Sequence, residues 1–203
     1  FMETMAKDLV EASTRGGPSP YEVMNDLSKD IPPGSDGILI AEHFQGNRSP
    51  YTDARARGTI TGLSLHHRRE HIYHAIQEAT CYGLELNLRT LRAAGYEPTS
   101  IVACGGALSS AQWLQMHADV SNVPLILTDV TEGPALGSAM VAAVGAGWYE
   151  DIPAASLAMT KVSDVIQPDP QAHEEYMFNY QAYKDSYESM KDLMARVTDH
   201  YSS

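Results

Sequence analysis

The stretch Ser100-Ile101-Val102-Ala103-Cys104-Gly105-Gly106-Ala107-Leu108-Ser109-Ser110-Ala111-Gln112-Trp113-Leu114 decides the fold. Residues 100–103 form a short apolar run that reads as a buried strand, and residues 111–120 read as an amphipathic helix. Two glycines lie between them, leave no side chain in the way of a ligand and permit positive φ. Ser109 reads as the helix N-cap, with Gln112 three residues on completing a capping box. Amides of the helix's first turn then face an anion or a polar heterocycle. The same geometry also serves a tight strand-to-helix turn with no ligand, and the motif alone does not choose between the two.

Outward from this stretch, residues 123–127 read as a second strand and residues 132–146 as a helix crowded with small residues, among them Ala135, Gly137, Ser138, Ala139 and Gly145. Small residues let a helix lie close to a sheet or another helix. Strand, helix, strand, helix in this order implies a parallel α/β unit. Upstream, residues 67–94 carry Ile72, Ala75, Ile76, Ala79, Tyr82, Gly83, Leu86 and Leu91 mainly at helical spacing, with Gly95 as the stop. Residues 38–41 read as a buried strand and residues 42–58 as irregular. Residues 1–13 have a helical pattern with no start signal, as in a chain that opens inside a larger protein. Residues 20–27 read as a helix with Tyr21, Met24 and Leu27 on one face. Residues 151–170 read as irregular with a short helical piece, and a last helix runs from 171 to about 197.

At 203 residues the chain has room for a real core. Its formal net charge of −12 argues against nucleic acid or an anionic membrane as the main partner. No apolar stretch is long enough to span a bilayer and none reads as a signal peptide. Cys81 and Cys104, the two cysteines, have neither metal-type nor disulfide-type spacing, which suits a reducing cytoplasm.

Three constellations invite a chemical reading. His67, His71 and His74 share a helix face at metal-ligand spacing, although a solvated first turn looks the same and is favoured. Arg48, Arg55 and Arg57 suit phosphate, but more often such residues pin a loop through carboxylates such as Asp53. Tyr176, Tyr180, Tyr183, Tyr187, Met190, Met194 and Val197 form one apolar stripe that serves either a homodimer or, preferably, packing on its own domain. No local motif pairs a nucleophile with a base, and neither a GxSxG, an HExxH nor a P-loop lysine is present, so no catalytic residue is assigned.

Together the motifs resemble a known family. Phe44-x-Gly46-Asn47-Arg48-x-Pro50, Ala56-Arg57-Gly58-x-Ile60-x-Gly62-Leu63, the helix from His71 to Ala79, Gly105-Gly106-Ala107, Gln115-x-x-Ala118-Asp119 and Ala135-Leu136-Gly137-Ser138-Ala139 stand in the order found in the C-terminal domain of FGGY carbohydrate kinases. Gln77 departs from the pattern, which has an apolar residue there. Gly46-Asn47-Arg48-Ser49-Pro50 looks most like pentulose kinases of the ribulokinase type.

The resemblance implies an actin-like, ribonuclease-H-like α/β fold, incomplete at its N-terminal end, with residues 1–203 as the nucleotide-binding C-terminal domain. It implies ATP with Mg²⁺, and a sugar or polyol hydroxyl as acceptor, held by an N-terminal domain outside this sequence. Carried over by position, Gly105, Gly106, Ala107, Ser109 and Ser110 bind the nucleotide, with Gly106, Ala107 and Ser110 on its adenine and ribose side; no residue is assigned to a metal. The family's catalytic aspartate and phosphate loops have no match here, so these residues alone are not expected to transfer phosphate. A second expectation is a non-catalytic actin-like module that binds a nucleotide or a protein. A dinucleotide-dependent oxidoreductase fits poorly, since the loop is not GxGxxG.

Overall fold

The computed structural model describes residues 1–201. From the N-terminus the chain forms α1 (Met2–Met5), α2 (Lys7–Thr14), α3 (Pro20–Ser28), β1 (Leu39–Ala41), β2 (Thr59–Thr61) and α4 (Arg69–Ala93). It continues through β3 (Ile101–Ala103), α5 (Ala111–Ser121), β4 (Leu125–Thr128), α6 (Gly133–Gly145), α7 (Ile152–Met159), β5 (Val162–Ile166) and α8 (Pro170–Tyr201). β1 and β2 pair antiparallel, Ile40 opposite Ile60. β3 and β4 pair parallel, Val102 opposite Ile126, as the strand–helix–strand order requires.

β5 adds an antiparallel third strand on β4. It lies inside residues 151–170, read from sequence as irregular with a short helix. Val162 to Val165 are all exposed and Asp164 interrupts the apolar run, so an edge strand here carries no burial pattern to read. The strand at 101–103 is not the buried strand expected either. Ile101 and Ala103 pack towards Leu114, Ala118 and Leu125, whereas Val102 turns outward at 61% exposure. Only one face of this sheet is covered by α5.

α4 is the element on which the others converge. Its apolar face carries Ala75 and Ala79 against Ile38 and Ile40, and Cys81, Tyr82 and Leu86 against Met116, Val120 and the tyrosines of α8. The same helix buries Gln77, Glu78 and Glu85. Glu85 is gripped by Arg89 (2.6 Å) and Arg92 (3.1 Å), and Arg92 also donates to the Ser121 carbonyl at the end of α5 (3.3 Å). Glu85 is the buried member, so its carboxylate depends on these two partly exposed guanidiniums for compensation.

The stripe on α8 is consumed inside the chain. Tyr176, Tyr180 and Tyr183 enter the α4–α5 core, and Tyr187 and Met194 close over Ala56. Their hydroxyls organise the irregular segment 42–58: Tyr183 donates to Glu42 (2.9 Å) and Tyr187 to Asp53 (3.0 Å), while Tyr51 stacks on Tyr187 at 3.8 Å. Arg55 pairs with Asp199 and Arg57 donates to the Ala54 and Ala56 carbonyls, so both pin the loop. Val197, read as part of the stripe, is half exposed.

Two further expectations need correction at the N-terminal end. The helix read over 1–13 is broken at Ala6 (φ −130°, ψ 28°), where full burial of Ala6 wins over helical continuity. On α3, Met24 and Ser28 are buried and Tyr21 and Leu27 are exposed, because the helix meets α4 along its Met24 edge.

The three histidines share a face but part company. His71 faces Asp36 (3.4 Å), and His67 bonds to Ser64 and the Asp36 carbonyl. His74 is buried, its Nδ1 2.9 Å from Ser35 Oγ, which itself donates to Glu78 Oε2 (2.7 Å). Among the described residues no group of three His, Cys, Asp or Glu side chains is placed to hold a metal ion.

Burial pushes the Glu78 carboxyl up from 4.5 to about 7, against the bonds from Ser35 and Gly34. Burial, with His71 nearby, lowers His74 from 6.5 to about 4. The two act oppositely on stability. Glu78's contribution is complete below pH 4.5 and is lost as pH rises through about 7; His74's is complete above pH 6.5 and is lost as pH falls through about 4. Glu78→Gln removes the first and keeps the second. The variant is therefore expected to gain on the wild type as pH rises from 4.5 to 7, by at most about 1.4 kcal/mol per pH unit. Urea midpoints of both proteins across that window measure the gap, and a constant gap contradicts the expectation.

Candidate functional site

β3 ends at Ala103, Cys104 follows in extended conformation, and the backbone then winds through a 3-10 turn, Gly105–Ser109, into α5. Gly105 makes the corner at φ +82°, a left-handed value that glycine adopts without strain, and its amide donates to the Thr131 carbonyl (3.2 Å). Cys104 packs on the connection to α6, where a Cβ at Gly133 would lie 2.9 Å from the sulfur. This contact, rather than the small residues further along α6, is what backs the glycine loop; Ala135, Gly137, Ser138 and Ala139 are mostly exposed.

The N-cap is Ser110, not Ser109. Ser110 Oγ accepts from the Trp113 amide (3.3 Å), and its carbonyl accepts from Leu114 (3.0 Å). The 3-10 turn takes up one more residue than a direct strand-to-helix step, which moves the cap along by one. Ser109 instead donates back to the Gly106 carbonyl (2.7 Å), and Gln112 reaches the Ser28 carbonyl (3.4 Å).

Beside the loop lies a cleft of about 720 Å³. Gly106, Ser109 and Ser110 form one wall, Tyr73, Gln77 and Thr80 of α4 another, and Trp113 stands between them. Tyr21 and Asn25 of α3 and residues 1–3 complete the lining, Asn25 being bonded to Tyr73 and Gln77 of the α4 wall. Trp113 Nε1 donates to Thr80 Oγ1 (3.0 Å) and the Gln77 carbonyl (3.3 Å), fixing the indole plane. Tyr73 donates to Asn25 Oδ1 (2.8 Å). No lysine or arginine is among the residues described as lining the cleft. Aromatic walls with a few fixed amides and hydroxyls suit a planar uncharged heterocycle better than a phosphate.

The five loop residues read from sequence therefore divide. Gly106, Ser109 and Ser110 line the cleft. Ala107 turns inward against the Leu114, Ala118 and Leu125 cluster, and Gly105 shapes the corner without lining the cleft. A Cβ at Gly106 would meet nothing within 4 Å. Tyr73, Asn25, Thr80 and Trp113 were not singled out as site residues. Trp113 stood inside the opening stretch, but the others come from two distant helices and only the fold brings them to the loop. Arg48 is exposed and Arg55 and Arg57 are engaged elsewhere, away from this wall.

The two glycines should respond differently to alanine. Gly105→Ala forces a Cβ into left-handed backbone and is expected to cost about 1–2 kcal/mol, whereas Gly106→Ala adds a methyl to open space and leaves stability within about 0.5 kcal/mol. Thermal or urea unfolding of both variants distinguishes them, and equal losses contradict the assignment.

Comparison with known proteins bears on the family and the fold. The profile of the FGGY family of carbohydrate kinases, C-terminal domain, matches residues 3–146. A xylulose kinase of Staphylococcus epidermidis is 34% identical over 175 residues, which is 86% of this chain and 35% of the relative. A ribulokinase of Mycolicibacterium smegmatis is 30% identical over 178 residues, 87% of this chain and 32% of the relative. The crystal structure of xylulose kinase from Rhodospirillum rubrum superposes with a TM-score of 0.78 at 28% identity, covering 95% of this chain and 38% of that one. The chain thus spans about a third of the length of the relatives it matches. Its α/β architecture is that of the actin-like fold, and the chain belongs to the FGGY family of carbohydrate kinases, matching the C-terminal domain of that family.

Proposed function

We propose that residues 1–203 form the nucleotide-binding C-terminal domain of an ATP-dependent pentulose kinase, with residues 171–200 as its terminal helix. The observation that carries the reading is the open backbone at Gly106 set against an aromatic cleft lined by no lysine or arginine among the described residues. Relatives named for xylulose and for ribulose both support a pentulose, such as ribulose, as acceptor. Gly106, Ser109 and Ser110 contact adenine and ribose in this reading. Gly105 and Ala107 act through backbone shape and anchoring.

The reaction moves the γ-phosphoryl of ATP to a sugar hydroxyl, and Mg²⁺ neutralises the charge on the phosphates. In this reading Mg²⁺ comes bound to the phosphates of the nucleotide. The sugar would be held by a second domain, and closure of the two around the substrates would exclude water. No helix among the described residues is long and apolar enough to cross a membrane, and a cytoplasmic setting suits the reading.

Calorimetric titration of the chain with MgADP is expected to show saturable binding. Gly106→Val puts a side chain into the open space beside the Gly106 backbone and should weaken binding at least about tenfold with the circular dichroism unchanged, a loss of about 1.4 kcal/mol. Unchanged affinity in folded Gly106→Val removes the loop from the site. A folded wild-type chain that does not bind overturns the reading. The chain alone is expected to give no sugar-dependent ADP release.

A further inference from the structure

The polar groups that line the cleft are mostly committed within the protein. Tyr73 donates to Asn25 (2.8 Å), Thr80 donates to the Gln77 carbonyl (2.7 Å) and accepts from Trp113 (3.0 Å), and Ser109 donates to the Gly106 carbonyl (2.7 Å). Gln77 Oε1 is buried out of a ligand's reach. Glu3, in the first turn of α1, is different. It is exposed and lines the cleft, and among the described residues neither a hydrogen bond nor an ion pair engages its side chain. It is also the one charged side chain among the described residues of the lining. The Tyr21 hydroxyl shares the lining and is likewise without a hydrogen bond among them, but it is uncharged and donates or accepts alike.

We propose that the Glu3 carboxylate accepts hydrogen bonds from the 2′- and 3′-hydroxyls of the nucleotide's ribose and so selects ribonucleotides over deoxyribonucleotides. The proposal rests on the nucleotide reading of the cleft. Both oxygens of a carboxylate accept, whichever way the group is turned, so its complement is a pair of donors. A nucleotide offers such a pair in the vicinal hydroxyls of its ribose. Its phosphates carry charge of the same sign as Glu3, and like charges at close range repel, so the phosphates leave the cleft on the side away from α1. Hydrogen bonds to an ionised acceptor are about twice as strong as neutral ones, and a carboxylate takes the ribose hydroxyl of dinucleotides on an unrelated fold for the same chemical reason. A sugar that lacks the 2′-hydroxyl leaves half of the carboxylate unmatched.

The test is calorimetry of the 203-residue chain with MgADP and with the magnesium complex of 2′-deoxy-ADP, on the wild type, Glu3→Ala and Glu3→Gln, with circular dichroism to show that each is folded. The wild type is expected to bind ADP at least about fivefold more tightly than 2′-deoxy-ADP, and Glu3→Ala to bring the two within about twofold. Glu3→Gln, which keeps one acceptor and loses the charge, is expected to fall between them. A role confined to the first turn of α1 would change stability and leave the ratio alone. Equal affinities in the wild type, or a preference that survives in folded Glu3→Ala, overturn the proposal and leave the nucleotide site standing. A folded wild type that binds neither nucleotide overturns both.

Discussion

Glu78 reaches from the middle of α4 and accepts from the Gly34 amide (2.7 Å) and the Ser35 hydroxyl (2.7 Å), and the backbone it grips would not hold its shape unaided. Ser35 and Asp36 both sit in left-handed conformation, at φ 50° and 54°, a region that costs an L-residue about 1–2 kcal/mol. With the turn held, β1 emerges from Ile38 directly against Ala75 and Ala79 of the same helix. β2 then pairs with β1 and ends at Gly62, whose approach to the Gly37 carbonyl leaves no room for a Cβ. One buried carboxyl thereby joins the helix, a strained turn and a two-stranded ribbon.

The opposite consequence of a polar interior is that α4 addresses several neighbours by different chemistry. Glu85 reaches α5 through Arg92, Gln77 reaches α3 through Asn25, and Thr80 reaches α5 through the Trp113 indole. Apolar contacts give the helix bundle its bulk stability, while these directional bonds fix how the helices are rotated about their axes. The cleft depends on that rotation, because its walls come from α1, α3, α4, α5 and the glycine loop. α8 does the same for residues 42–58, where tyrosine rings provide burial and their hydroxyls select Glu42 and Asp53.

Much of this was legible from residue patterns. The glycine pair between strand and helix, the parallel pairing that follows, the long α4 and the stripe of α8 all carry periodic signals set by burial on one face. The failures have local causes. The cap moved from Ser109 to Ser110 because a 3-10 turn and an α-helical start present the same residues in sequence. β5 stayed hidden because an exposed edge strand need not alternate. The inward packing of Ala107 was not legible, because a loop read by position has no inside or outside until Leu114 and Leu125 are seen beneath it. Asn25 lies on α3 and Tyr73 and Thr80 on α4, and no spacing rule connects them to residue 106.

Trp113 gives the molecule an optical handle. Its indole is partly buried, hydrogen-bonded at Nε1 and set on the cleft wall, while Trp148, the other tryptophan in the sequence, is 78% exposed and does not line the cleft. Their emission maxima should therefore differ, the buried indole to the blue and the exposed one to the red. A planar ring entering beside Trp113 would quench or shift the blue component and leave the red one as an internal standard. The wall that shapes the cleft thus also reports its occupancy, with no label attached.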